Sequence, residues 1–367
     1  MRVLVCPDAF RGTMTAPQAA GSFARGWRRA RPSDELDLAP MADGGEGTLD
    51  ALCREGRIVR HRVAGPLGDP VDAALGFLPG GASVVESAQA AGIALLAPER
   101  RDPLRATTRG VGELIRVAMD EGARSILVCL GGSATNDGGA GLASALGARF
   151  SGTGGRVVPD GGAALRDLAR IDLSGLDPRL RSTAIIGLTD VDDPLCGPTG
   201  ASVTYGPQKG ATPDDVVLLD RALAHLAATS ERDLGVRLAD EPGAGAAGGL
   251  GFGLMAFCGA HLRRGVEAVA DAVDLEAKVA RADLVVTGEG AVDATSLRGK
   301  VVGHVVALAR LATTRVVVVG GRAEIDLEGI EVRTLVDAVG EERALDEARA
   351  SLERVAATLA EQIGAHV

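Results

Sequence analysis

Five short runs are almost continuously apolar and rich in β-branched residues: Val3 to Cys6, Leu36 to Ala39, Leu284 to Thr287, Val316 to Val319 and Val332 to Leu335. Strands covered on both faces read this way, so the runs predict a buried parallel sheet. Two lie near the start of the chain and three near its end. Each of the first four is followed by a Gly-containing or acidic loop and then by a segment with helical spacing, such as Ala16 to Ala30, Thr48 to Arg54 and Val301 to Leu311. That alternation is the rhythm of βαβ units. Ala344 to Ile363 predicts a closing amphipathic helix. Between these ends, Arg60 to Val85 consists of short alternating runs broken by Gly-Pro, Asp-Pro and Pro-Gly-Gly, which predicts antiparallel hairpins. The pattern is that of an α/β chain in which a second domain interrupts the first.

Length and composition narrow the class. At 367 residues, 24% charged and 46% hydrophobic, the chain holds material for about two cores. Its 51 glycines are spread through the sequence, which speaks against a fibrous or low-complexity class and for many tight turns. A net charge of -10, no basic block and 2% aromatic residues support neither phosphate-backbone binding nor base stacking, so no nucleic-acid partner is expected. Five scattered cysteines without a C-x-x-C pair suit neither a disulfide framework nor a zinc site, and a reducing cytoplasm fits them. The apolar stretch before Asp8 is too short for a signal-peptide core. The uncharged run Pro242 to Leu262 contains seven glycines and is expected to be a loop entering a buried helix, not a membrane span.

Candidate chemistry collects after the strand-like runs, where open parallel sheets bind ligands. Asp8 follows the first run, Asp43 and Glu46 the second, and Glu289 and Asp293 the third, while Gly320 and Gly321 end the fourth. Crowded carboxylates call for a divalent cation, a cationic side chain or a proton, and with a phosphorylated ligand the natural cation is magnesium. The loop Gly131 to Gly141 lies between a strand-like and a helix-like run. Its Gly131, Gly132, Ser133, Thr135, Asn136 and Asp137 suit the cradling of phosphate, against the plainer alternative of a helix cap with tight turns. Gly243 to Gly248 spells G-x-G-x-x-G, but no strand precedes it and no acid follows at the proper spacing, which favours close packing over a dinucleotide site. Only three lysines stand among 36 arginines, and Lys209 and Lys300 lie beside glycines, where a compact ammonium suits phosphate. Asp190, with Asp192 and Asp193, follows a strand-like run. An acidic turn explains the group minimally, and the functional reading is that one of them, first of all Asp190, accepts a proton from a substrate hydroxyl or holds a metal. The five histidines show no ligand spacing. G-x-S-x-G, H-E-x-x-H, Walker A and protein-kinase signatures are all missing.

In order along the chain, Pro7-Asp8-Ala9-Phe10-Arg11-Gly12, Pro40 to Thr48, Gly131 to Gly141, Asp190-Val191 with Pro194-Leu195, Pro207-Gln208-Lys209-Gly210-Ala211, Gly243 to Gly251, and Thr287 to Gly290 with Asp293 and Gly299-Lys300 resemble the bacterial class I glycerate kinase family. The resemblance covers nearly the whole chain. It implies a Rossmann-like parallel-sheet domain, 1-62 and 282-367, interrupted by an inserted α/β domain with a mixed sheet, 63-281, and an active site in the cleft between them. It also implies ATP and Mg2+, with D-glycerate phosphorylated at the 2-hydroxyl. In that frame the catalytic candidates are Asp190, Lys209, Arg11 and Asp8, the loop Gly131 to Asp137 holds nucleotide phosphates, and Asp43, Glu289 and Asp293 are the metal candidates. The roles are interchangeable among these residues. Four positions depart from the family: Ala9 and Arg11 replace the usual Ser and Lys, Asp193 an Asn, and Thr295 a Gln. The alternatives are a kinase of another small hydroxy acid or of the 3-hydroxyl, a non-catalytic sugar-acid or nucleotide sensor, and, last, an NAD oxidoreductase.

Overall fold

The structure is a computed structural model that describes residues 1–53, 56–297 and 299–364. Arg54 at the end of the expected second helix, Arg298 beside Lys300, and His366 lie outside the described residues. In chain order the strands are β1 (Arg2–Val5), β2 (Glu35–Leu38), β3 (Arg57–Ala64), β4 (Pro70–Phe77), β5 (Ala82–Glu86), β6 (Ser125–Cys129), β7 (Arg149–Gly152), β8 (Leu168–Asp172), β9 (Ala184–Leu188), β10 (His261–Arg263), β11 (Leu284–Val292), β12 (Arg315–Ala323) and β13 (Glu331–Thr334). They divide between two compact units, Met1–Arg54 with Gly265–Val367, and Glu55–Arg264.

Unit 1 is built on a five-stranded sheet in the order β13-β12-β11-β1-β2, with every pairing parallel. The period of two along β1 explains why its run is apolar throughout. Val3 and Val5 join one core with Phe23, Trp27, Val286 and Val317, whereas Leu4 and Cys6 join another with Val285, Val301 and Val305. Helix Ala16–Ala30 covers the first face. It begins at a capping box in which Thr15 accepts from Gln18 N and Gln18 accepts from Thr15 N, with Pro17 in the first turn. Gly26 lets the closing helix approach, because a Cβ there would overlap the Glu353 carbonyl. The closing segment is not one helix as expected: Glu341–Asp346 and Ala348–Gly364 are separated at Glu347, which leaves helical geometry at φ -116° and ψ 33°. No proline or glycine marks this break. Helices Gly265–Ala272 and Leu275–Arg281 belong to unit 1, since Val266, Val269, Leu275 and Val279 complete the second face.

Unit 2 carries a six-stranded mixed sheet, β10-β9-β6-β5-β4-β3. β3, β4 and β5 form the antiparallel part, and β5, β6, β9 and β10 run parallel. β7 and β8 form a separate antiparallel pair. Helix Ala246–Cys258 is buried from two sides. Ala246, Leu250 and Leu254 enter the core of the main sheet, and Phe252 and Phe257 enter the core around β7 and β8. This is the second half of the uncharged run, and among the described residues no helix is long and apolar enough to cross a membrane.

Candidate active site

In unit 2 the carboxyl edge of the parallel strands follows from their register. Glu86 of β5 pairs with Cys129 of β6, and Cys129 with Leu188 of β9. Ala88, Gly131 and Asp190 each stand two residues past that rung, on strands spaced about 5 Å apart. Gly132 is left-handed at φ 67°, its carbonyl accepts from Ile93 N at 2.8 Å, and the Gly131 carbonyl accepts from the Ser87 hydroxyl at 3.2 Å. The N–H groups of Gly131, Gly132 and Ser133 have no protein acceptor among the described residues. Successive amides around a left-handed glycine form an anion-binding concavity.

The remainder of the loop is turned inward. Ser133, Thr135, Asn136 and Asp137 are all buried. The Asp137 carboxylate accepts from the N–H groups of Thr108 (2.8 Å), Gly139 (3.2 Å) and Gly141 (3.2 Å) and from the Thr108 hydroxyl (3.0 Å). Burial pushes its pKa up and these donors oppose the shift. A protein carboxylate thus already sits at the head of helix Ala140–Ala145, the place where a phosphate is expected. The hydroxyls of Ser133 and Thr135 lie 2.6 Å apart and each is 3.4 Å from the Ala247 carbonyl. Their two protons are used between each other and that carbonyl, so neither hydroxyl has one to spare for a ligand. Asn136 donates to the Ser202 hydroxyl at 2.9 Å, and its Oδ1 is buried with no partner. Lys209 is buried as well, and its Nζ donates to the Thr135 carbonyl at 2.7 Å. Burial lowers its pKa to about 8, with Asp137 opposing.

Behind the loop stands the G-x-G-x-x-G segment, whose use is now visible. Ala247, Gly248 and Gly249 are consecutively left-handed, at φ 52°, 71° and 86°. A Cβ on Gly248 would overlap the Thr135 carbonyl, and one on Gly249 would lie 2.8 Å from Gly138 Cα. Gly138 N donates to the Gly248 carbonyl at 3.1 Å. Two glycine-rich backbones pack directly on each other, and only glycine permits the approach. Asp190 is half-buried, and its carbonyl accepts from Arg264, which also pairs with Asp192 at 2.7 Å. Asp193 accepts from the Tyr205 hydroxyl at 2.7 Å.

Unit 1 gathers carboxylates at its own carboxyl edge. Val5 lies opposite Val286, so Asp8 and Glu289, each three residues further on, are neighbours. Burial first, and then the Asp43 carboxylate, push the Asp8 pKa up to about 7. Burial also raises that of Glu289, whose Oε1 is buried without a partner. Arg11 reaches Asp43 only loosely, at 3.7 Å with its side chain 85% exposed, and Glu46 is exposed. Asp293 faces its own turn: Oδ1 accepts from Thr295 N (2.7 Å), the Thr295 hydroxyl (2.6 Å) and Ser296 N (3.3 Å). The Thr295 hydroxyl also accepts from Lys300 at 2.8 Å, which gives this departing position a use. Asp43, Glu289 and Asp293 do not form a closed cage, for no group of three or more His, Cys, Asp or Glu side chains suited to a metal occurs among the described residues. Magnesium is usually held by one or two carboxylates, waters and substrate phosphates, and the unpartnered Glu289 oxygen beside Asp8 fits that mode.

Sequence reasoning missed Ser87, which follows β5 directly and holds Gly131, and Arg101, whose side chain meets the turn that carries Lys209. An acid and a hydroxyl after a strand could have flagged the first. One arginine among 36 carried no signal.

A model of the glycerate kinase family matches residues 3–367. The chain is 46% identical to a glycerate kinase of Bacillus subtilis (strain 168) over 82% of its own length and 79% of that protein's. It is 44% identical to a glycerate 2-kinase of Escherichia coli (strain K12) over 82% and 80%. A crystal structure of a candidate glycerate kinase 2 from Salmonella typhimurium LT2 superposes with a TM-score of 0.90 at 42% identity, covering 100% of this chain and 99% of that one. With its parallel and mixed sheets, its glycine loop and its carboxylate edge, the chain belongs to the glycerate kinase family of phosphotransferases.

Proposed function

We propose that the protein transfers the γ-phosphoryl group of ATP to the 2-hydroxyl of D-glycerate, giving 2-phosphoglycerate and ADP. The observation that carries this reading is the set of three unpaired amides of Gly131, Gly132 and Ser133, with Asp190 two residues past the end of the neighbouring strand. Phosphoryl transfer needs in-line positioning and stabilisation of charge on the equatorial oxygens. In this proposal the amides take phosphate oxygens, and Asp190 orients the acceptor hydroxyl and takes its proton. Asp137, Thr135 and Asn136 keep the loop in shape from behind. Lys209 acts through the Thr135 carbonyl it holds, as a positioning residue. Magnesium would supply charge neutralisation on phosphate oxygens, and within unit 1 Glu289, with Asp8 and Asp43, is the set that would suit it. Arg11, largely exposed and only loosely paired with Asp43, can meet anionic oxygens from solvent. The choice of the 2-hydroxyl is supported by the name of the Escherichia coli relative.

The test is ADP release with magnesium, ATP and D-glycerate, run beside L-glycerate and other hydroxy acids, with the product's phosphate position read by phosphorus NMR. Stereospecific formation of 2-phosphoglycerate is expected. A 3-phosphate product overturns the position, and no turnover with any acid, with ATP still bound, favours a sensor. Asp190→Ala abolishes turnover under the enzyme reading.

A further inference from the structure

We propose that Arg101 binds an oxyanion of the reacting pair, and that this oxyanion is the carboxylate of the acceptor acid. The inference rests on the kinase reading above and gives that site a residue for substrate recognition. Arg101 is held between two segments that both touch the glycine loop. On one side, Ile93 N donates to the Gly132 carbonyl at 2.8 Å, and two further turns carry the chain from there to Arg101, whose N–H donates to the Pro98 carbonyl at 3.3 Å. On the other, Arg101 Nη1 donates to the Gln208 carbonyl at 3.3 Å, and the next residue, Lys209, reaches Thr135. Gly210 packs on the same arginine, since a Cβ there would lie 3.1 Å from Arg101 Cβ.

The side chain so placed is incompletely used. In a chain of net charge -10, the neighbouring Arg100 pairs with Asp69 at 2.7 Å and Arg109 pairs with Asp160. Arg101 pairs with no carboxylate among the described residues, and its Nε is buried without a hydrogen-bond partner. A guanidinium offers five donors in a planar fork, and a buried donor left unpaired is unfavourable. The missing partner has the chemistry of an oxyanion. Phosphate already has the amides of Gly131, Gly132 and Ser133, and Lys209 is engaged by Thr135. A small hydroxy acid carries a single charged group, its carboxylate, and the planar fork of Arg101 matches it in two hydrogen bonds.

The experiment compares the full-length wild type with Arg101→Ala and Arg101→Lys. Wild-type turnover of D-glycerate is measured first, so that failure of the kinase reading shows separately. If it fails, calorimetric binding of D-glycerate to the wild type and the variants decides, and equal binding overturns the role of Arg101. With turnover present, Arg101→Ala is expected to raise KM for D-glycerate about tenfold or more, the loss of a charge-assisted hydrogen bond, with KM for ATP within about twofold. Arg101→Lys is expected to fall between the two, and guanidinium ion added to Arg101→Ala at millimolar concentration is expected to restore part of the loss. A rise in KM for ATP alone overturns the carboxylate assignment and places a phosphate there. Unchanged KM for both substrates overturns the proposal. Should Arg101→Ala fail to fold, Arg101→Lys keeps the aliphatic stem and carries the same comparison.

Discussion

At Asp8, burial opposes the charge that its proposed role requires. Its pKa rises from 3.8 unfolded to about 7 folded, so the native state holds more protons than the unfolded chain between those values. Stability from this group therefore falls as pH rises through that window, and the ionised carboxylate is at its most unfavourable above 7. Three pK units correspond to about 4 kcal/mol at most. Asp8→Asn is accordingly expected to raise Tm at pH 8 by several degrees in scanning calorimetry while turnover falls; an unchanged Tm would show that Asp8 is not strained. Lys209 has the opposite sign of charge and a depressed pKa, from 10.5 to about 8. Between those values the unfolded chain binds the extra proton, so the lysine's contribution to stability rises with pH. Urea unfolding at pH 7.5 and 9.5 should show wild type gaining about 2 kcal/mol on Lys209→Met over that interval. Methionine leaves the Thr135 carbonyl without its donor, a loss of about 1–3 kcal/mol independent of pH.

At the scale of elements, the left-handed turn at the head of helix Ala246–Cys258 governs the glycine loop. Ala247 holds φ 52° and ψ 38°, a conformation unfavourable by about 1 kcal/mol for a residue with a Cβ. Ala247→Gly should be stabilising or neutral in urea unfolding. Gly248→Ala should unfold the loop or lower stability by about 3 kcal/mol or more, because its Cβ has no space against the Thr135 carbonyl. A melting curve like that of wild type for Gly248→Ala would mean that the two segments do not pack as described. The legibility of such elements varied for physical reasons. Strands β1, β11 and β12 announce themselves because burial of both faces forces continuous apolar runs, and helix Ala16–Ala30 because its apolar positions recur at helical spacing. Asp137 did not: a Ser-Thr-Asn-Asp stretch beside glycines suits a phosphate cradle and an inward cap equally, and only the fold shows that its carboxylate is spent on Thr108, Gly139 and Gly141. The close packing expected of Gly243 to Gly248 is what the fold shows, but its partner was hidden, since the backbone it touches lies over a hundred residues away, as Ser133 and Ala247 are 114 apart. The break at Glu347 has no local signal at all.

For the whole molecule, the discontinuous origin of unit 1 matters most. Its strand β1 lies between β2, from the same end of the chain, and the central strand β11, from the other. Removing residues 312–367 strips β12, β13 and the helix Ala348–Gly364 that covers Phe23 and Trp27. Hydrogen exchange by mass spectrometry should then show unit 1 unprotected while unit 2, whose strands come from one continuous stretch, keeps its slow amides. Loss of protection in both would mean that unit 2 cannot stand without its neighbour. The same topology bears on how the chain is made. Cys6 and Val286, in contact across the sheet, are 280 residues apart, and at about 5–20 residues per second a ribosome needs roughly 15–60 s to pass from one to the other. For that time the nascent chain carries β1 with one edge unpaired and both apolar faces incompletely covered, while the whole of unit 2 emerges and can fold. Before the first strand has its second partner, the growing polypeptide passes through a stage at which chaperones can bind it and premature association with other nascent chains is a hazard.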